Sequence, residues 1–320
     1  MVHVPPGGDR SLFEEAAPVL RLHYHPQAMS EPIPPYLGDP EAERDFDAAS
    51  VAVLPVPYEE TVCWAGGTAR GPEAIFRASP HLEFYDEQLD AEPYKLGIWT
   101  DRMLDVSGGA QAVLERIESR LGSHMDAGKW VLMLGGEHSI TPAGVRAAAA
   151  RHEGLILVQF DAHADLRENF EGNALSHACA MARCLDHVSQ LRAVGIRSYT
   201  REEADRIVAG IPGYKIVHAW EMTEEKLAEF LVGIDGKPVY ITFDVDYFDP
   251  AFMPATGTPE PGGGEWYATL RLLEELFRRA NVVAADIVEL APSQGLHHCD
   301  FSAARLAYKM IGMLQSKRAG

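Results

Sequence analysis

The chain alternates short, continuously apolar runs with longer stretches that are apolar on one face only. The runs are VAVLPV (51–56), WVLML (130–134), LILVQF (155–160), LRAVGI (191–196), YKIVHA (214–219), PVYITF (238–243) and NVVAADIV (281–288). Runs of this length without polar alternation suit strands covered on both faces, as in a parallel sheet. Between them, residues 110–128, 141–152, 223–234, 266–280 and 302–315 read as helices. Pro142 is tolerated in a first helical turn, and Thr223 is a candidate N-cap with acids behind it. Strand and helix in alternation predict one α/β domain of three layers, α/β/α. Neither an internal repeat nor an interdomain linker interrupts the pattern. Residues 1–45, rich in Pro, Gly and acids, read as an N-terminal arm, which leaves 46–320 as a single domain.

Composition narrows the function. With 47% apolar residues over 320 positions, the chain can bury a large core. Its formal net charge of −19 repels nucleic acid and anionic membrane and favours a small cationic substrate. Cys63, Cys179, Cys184 and Cys299 form no CxxC pair and suit a reducing compartment. The first twenty residues carry no basic segment followed by an apolar run, and no apolar run approaches a membrane span. The expectation is a soluble, cytoplasmic protein.

The chemistry sits where the predicted strands end, which is where ligands bind in such sheets. After LILVQF, the stretch FDAHADLREN places Asp161, His163 and Asp165 on every second position. After WVLML comes GGEHS with His138, and after PVYITF comes DVD, with Asp244 and Asp246. In extended backbone, positions i and i+2 share a side, so each set can converge. Four carboxylates gathered in one place cannot all stay ionised without counter-ions. Carboxylate and imidazole ligands without thiolate suit Mn(II), with Zn, Ni, Co and Fe as rivals. Six ligands are too many for one ion with an open position, so two ions sharing bridging carboxylates are expected.

GGEHS, FDAHADLR, SHACAMAR, ITFDVDYFDPAFMPATGTPEPGG and DIVELAP together resemble the ureohydrolase family of arginases, agmatinases and relatives. The resemblance runs from about residue 48 to 315 and includes VAVLPVPYEET and GTARGPEAIFRAS. It implies a three-layer α/β/α fold, arginase/deacetylase-like, around a parallel sheet of roughly eight strands, with two Mn2+ at its carboxyl edge. One ion would be held by His138, Asp161, Asp165 and Asp244. The other would be held by His163, Asp161, Asp244 and Asp246, with Asp161 and Asp244 bridging. The ions would lower the pKa of a shared water, and Asp165 would orient the resulting nucleophile toward a guanidinium carbon. Urea and an amine would leave.

By the same resemblance, Glu289 pairs with the guanidinium, His177 protonates the leaving amine or shuttles protons, and Thr258 helps shape the pocket. With two divalent ions and a hydroxide, the cluster is net negative, which again suits a cation. The segment GIRSYTREEAD is more like agmatinases than arginases. Agmatine, cleaved to putrescine and urea, is therefore the expected substrate. N1-aminopropylagmatine, guanidinobutyrate, guanidinopropionate, guanidine and arginine are the alternatives. A guanidino acid would require a cation at the rim, for which Arg167, Arg183 and Arg201 are candidates. A single-zinc deacetylase of related fold would lack counterparts of His138 and Asp246. A non-catalytic relative would not keep His177 and Glu289. Family members commonly form homo-oligomers, trimers or hexamers. No role is assigned to His297, His298, Cys179 or Cys184.

Overall fold

The computed structural model describes residues 32–38 and 45–316. All the apolar runs form strands: β1 (Val51–Val56), β3 (Trp130–Gly135), β4 (Ile156–Phe160), β5 (Gln190–Ile196), β6 (Tyr214–His218), β7 (Pro238–Asp244) and β8 (Asn281–Val288). A further strand, β2 (Ile98–Thr100), pairs on the outer side of β1 and is too short to announce itself in the sequence. The eight strands form one sheet in the order β2-β1-β3-β8-β7-β4-β5-β6, and every pairing is parallel.

The predicted helices are α2 (Ala110–Asp126), α3 (Thr141–Ala149), α6 (Glu224–Phe230), α7 (Trp266–Arg279) and α8 (His297–Ser316). Three more were not foreseen: α1 (Gly71–Ala78), α4 (Ala180–Cys184) and α5 (Arg201–Ala209). Two cores form, one on each face of the sheet. In β3, Leu132 and Leu134 enter the core shared with α1, α7 and α8. Val131 and Met133, pointing the other way, enter the core shared with α2, α3 and α4. This is why the strands read as unbroken apolar runs.

Of the arm expected over 1–45, residues 1–31 and 39–44 lie outside the described residues. Tyr36 and Leu37 are buried. Tyr36 Oη donates to the Ala304 carbonyl at 2.8 Å, and Ser79 Oγ accepts from Leu37 N at 2.8 Å. Among the described residues, no helix is long and apolar enough to cross a membrane.

Candidate metal centre

The four central strands, β3, β8, β7 and β4, deliver the acidic and imidazole side chains at their carboxyl ends. His138 opens the turn after β3, Glu289 follows β8, Asp244 ends β7, and Asp161 follows β4. Phe160 pairs with Phe243 in register, so Asp161 and Asp244, one residue further on, emerge side by side. Below them the Phe160 and Phe243 rings stack at 5.0 Å and close the floor.

Two clusters result. His138 Nδ1 lies 3.1 Å from Asp161 Oδ2, 3.1 Å from Asp165 Oδ2 and 3.5 Å from Asp244 Oδ2. His163 Nδ1 lies 2.9 Å from Asp246 Oδ2 and 3.7 Å from Asp161 Oδ1. Asp161 thus turns one oxygen toward each imidazole. Asp244 turns Oδ2 toward His138, while its Oδ1 accepts the Asp246 backbone N–H at 2.8 Å.

The tautomer of His138 follows from its other side. Thr242 Oγ1 donates to Asp286 Oδ1 at 2.6 Å and lies 2.9 Å from His138 Nε2. A hydroxyl has one proton, so Thr242 accepts from His138 Nε2–H. The ring then turns Nδ1 toward three carboxylates. Burial opposes charge on the ring, yet Asp161 and Asp165 hold it well above the usual imidazole range. Nδ1 is buried without a well-aligned hydrogen bond. In the metal-free protein protons balance this cluster, and a divalent cation in their place would satisfy all four groups. Imidazole with carboxylates, backed by a carboxylate through a hydroxyl, is the donor set a hard or borderline ion takes. The residues fit a metal.

Charge in the cluster is balanced by protons. Burial, then the neighbouring Asp246 and Asp165 charges, push Asp161 up to about 7. Burial and the Asp246 and Asp161 charges push Asp244 well above the carboxylate range. Burial opposes charge on His163, yet Asp246 raises it to about 10, and His163 in turn overcomes burial to hold Asp246 down at about 2. Burial also raises Glu289, against the His138 N–H that its Oε1 accepts at 2.6 Å.

Backbone strain gathers here. Of five non-glycine residues with positive φ among the described residues, Asp165 (51°) and Glu289 (66°) are two, and such conformations persist where packing over-determines them. The Asp165 carbonyl is held by the Met181 and Ala182 N–H groups at 3.0 and 3.1 Å.

Above the clusters opens a cavity of about 340 Å³ lined by His163, Asp165, Asp244, Asp246, Glu289, His177 and Thr258. The sequence-predicted residues are therefore brought together, with His138 and Asp161 buried beneath. Of the three rim arginines, only Arg167 reaches this cavity, stacked 4.6 Å over Phe170. Arg183 lines a separate cavity and pairs with Glu168, and Arg201 is exposed beside Asp205. His298 contacts Cys299 at 3.4 Å, and all four cysteines are free thiols.

Sequence reading missed Thr61, Cys63, Trp64, Glu137, Glu203 and Glu260, all of which line the cavity. A signal existed for the first three. They follow β1, and the strand-end rule that located the aspartates applies there too.

A parallel α/β sheet whose central strands end in two imidazole–carboxylate clusters defines an α/β protein with residues that fit a metal. The chain belongs to the Arginase family, which it matches over residues 49–312. It is 39% identical to the N(1)-aminopropylagmatine ureohydrolase of Synechocystis over 282 residues, 85% of this chain and 91% of that protein. It is 34% identical to an agmatinase of Bacillus anthracis over 262 residues, 79% of this chain and 87% of that protein. The agmatine ureohydrolase structure from Thermoplasma volcanium superposes with a TM-score of 0.81 at 29% identity, covering 92% of this chain and 98% of that one. The chain is accordingly a hydrolase acting on guanidino groups.

Proposed function

We propose that the chain hydrolyses the guanidino group of a linear aliphatic polycation to urea and an amine, with agmatine and N1-aminopropylagmatine as the substrates. The observation that carries the reading is the convergence of His138, Asp161, Asp165 and Asp244 around one unsatisfied nitrogen, beneath a cavity that also holds Glu289. Two divalent ions, Mn2+ by preference, would be held by His138, His163 and the four aspartates, and would supply a water nucleophile at neutral pH. Glu289 would orient the guanidinium through its free carboxylate lone pairs. His177 would hold and deliver the proton that the leaving amine takes up. Thr258 would help shape the cavity wall. The longer substrate is favoured by the 39% relative, agmatine by the 34% relative and the superposed structure. Both end in a cation, which suits a rim where the Glu260 carboxylate accepts one hydrogen bond, from Ser198 Oγ at 2.9 Å, and keeps lone pairs for an ammonium. Free thiols at all four cysteines support a reducing, cytoplasmic setting, and assembly into trimers or hexamers is part of the same reading.

The test is urea release from Mn-loaded protein across agmatine, N1-aminopropylagmatine, arginine, guanidinobutyrate, guanidinopropionate and guanidine. The expected result is that the first two lead the others by roughly 100-fold or more in kcat/KM, because unpaired rim acids reject a carboxylate. Absence of urea from every substrate overturns the proposal, and a leading guanidino acid overturns its substrate class.

A further inference from the structure

His177 stands at the end of a chain of hydrogen bonds that runs away from the cavity. Its Nδ1 lies 2.8 Å from Thr61 Oγ1. Thr61 Oγ1 in turn lies 2.8 Å from Glu137 Oε1. On the cavity side, His177 Nε2 lies 3.0 Å from Cys63 Sγ. Glu137 is 2% exposed and is itself fully engaged. Its Oε2 accepts the Glu60 and Thr61 backbone N–H groups at 2.7 and 2.6 Å, and its Oε1 also accepts from Ser139 Oγ.

Only one assignment of protons satisfies these contacts. A carboxylate accepts and cannot donate, so the Thr61 hydroxyl proton points at Glu137. The Thr61 oxygen is then an acceptor, and it takes the His177 backbone N–H at 3.1 Å as well. Nδ1 must therefore carry a proton and donate to Thr61. Nε2 keeps its lone pair in the neutral ring and faces the cavity. Cys63 agrees with this direction: desolvation raises its thiol pKa, so its S–H can donate to Nε2.

We propose that Glu137 and Thr61 are positioning residues that lock His177 in the Nδ1–H tautomer, so that Nε2 is the atom that exchanges a proton with substrate. The inference rests on the reading of His177 as proton donor and adds what sets its direction. A buried carboxylate one hydroxyl away holds the ring in place, as an orienting carboxylate does for a catalytic histidine. The imidazole of His177 thus has one ring nitrogen committed to the buried Thr61–Glu137 relay and one that faces the cavity beside the Cys63 thiol.

The experiment is a long-range proton–nitrogen spectrum of metal-free protein carrying nitrogen-labelled histidine, joined to steady-state kinetics of the Mn-loaded protein. The His177 resonances, assigned with His177→Ala, are expected to show a protonated Nδ1 and a bare Nε2. Thr61→Val keeps the side-chain shape and removes the hydroxyl. It is expected to lose the tautomer preference and to lower kcat by roughly tenfold or more, while KM stays within about twofold. Thr61→Ser restores both. A neutral wild-type ring with its proton on Nε2 overturns the proposal, whether or not any variant folds. So does a Thr61→Val protein with unchanged tautomer and kcat. Full activity in His177→Ala, with the expected tautomer in the wild-type protein, would instead sink the proton-donor role of His177 and leave the hydrogen-bond assignment standing.

Discussion

At the scale of single residues, the candidate ligands were legible because their spacing is local. Asp161, His163 and Asp165 announce themselves by alternating along a strand end, and Asp244 and Asp246 do the same. What stands behind them was not legible. Asp286 lies in β8, yet it accepts from Thr141 Oγ1 at 2.9 Å, Tyr240 Oη at 2.9 Å and Thr242 Oγ1 at 2.6 Å. Nothing in DIVELAP separates the buried orienting role of Asp286 from the cavity role of Glu289, since the distinction is made by neighbouring strands. Three hydroxyls converging on one carboxylate fix Thr242 as the acceptor for His138, and so aim Nδ1 at the metal position. Asp286→Asn would let the amide compete for that pattern and free the His138 ring to change tautomer. The expected outcome is a loss of roughly 10- to 100-fold in metal affinity, measured by calorimetric titration of Mn2+ into metal-free protein. Unchanged affinity would show that ring packing alone holds His138.

At the scale of elements, the longest apolar and periodic stretches became the strands and helices expected, and the misses have separate causes. Helix α5 buries little but Glu203, so it shows no apolar stripe to read. Its signature was chemical instead: Thr200 and Glu203 form a reciprocal capping box, spelled TREE in the sequence. That box reaches the site, because Glu203 Oε1 also accepts the Leu166 N–H at 2.9 Å, next to Asp165. Strand β2 has three residues and α4 five, too short for any period to repeat. The GGEHS turn shows why an element's ends need particular residues. A Cβ on Gly136 would come within 1.9 Å of the Tyr58 carbonyl oxygen, so the turns that follow β1 and β3 can approach this closely only with glycine. For α5, Thr200→Ala removes the cap. The expected cost is roughly 1 kcal/mol, a fall in Tm of about 2 °C for a chain of this size, read by thermal unfolding. A larger loss of activity than of stability would show that the Asp165 loop depends on the cap.

At the scale of the whole molecule, acidity and metal binding are coupled through stability. The chain carries a net charge of −19 and concentrates buried carboxylates at one edge of its sheet. In the folded, metal-free protein Asp161 titrates at about 7 and His163 at about 10, both above their unfolded values. A group whose pKa is raised by folding binds its proton more tightly in the native state. Its contribution is present below the unfolded pKa and lost as pH rises through the folded one. For Asp161 that window closes near pH 7, and for His163 it spans about pH 6.5 to 10. Asp244 and Glu289, also raised, act in the same direction. Asp246, held at about 2, has its effect at more acidic pH. The metal-free protein should therefore lose stability steadily between pH 6 and 9, measured by denaturant unfolding at fixed ionic strength. A divalent ion needs these groups deprotonated, so its binding tightens over the same range and adds stability as RT ln(1 + [L]/Kd). With saturating Mn2+ the slope should flatten or reverse. Parallel pH profiles with and without metal would mean that the cluster's protons and the ion do not compete, contradicting the shared site on which the mechanism depends.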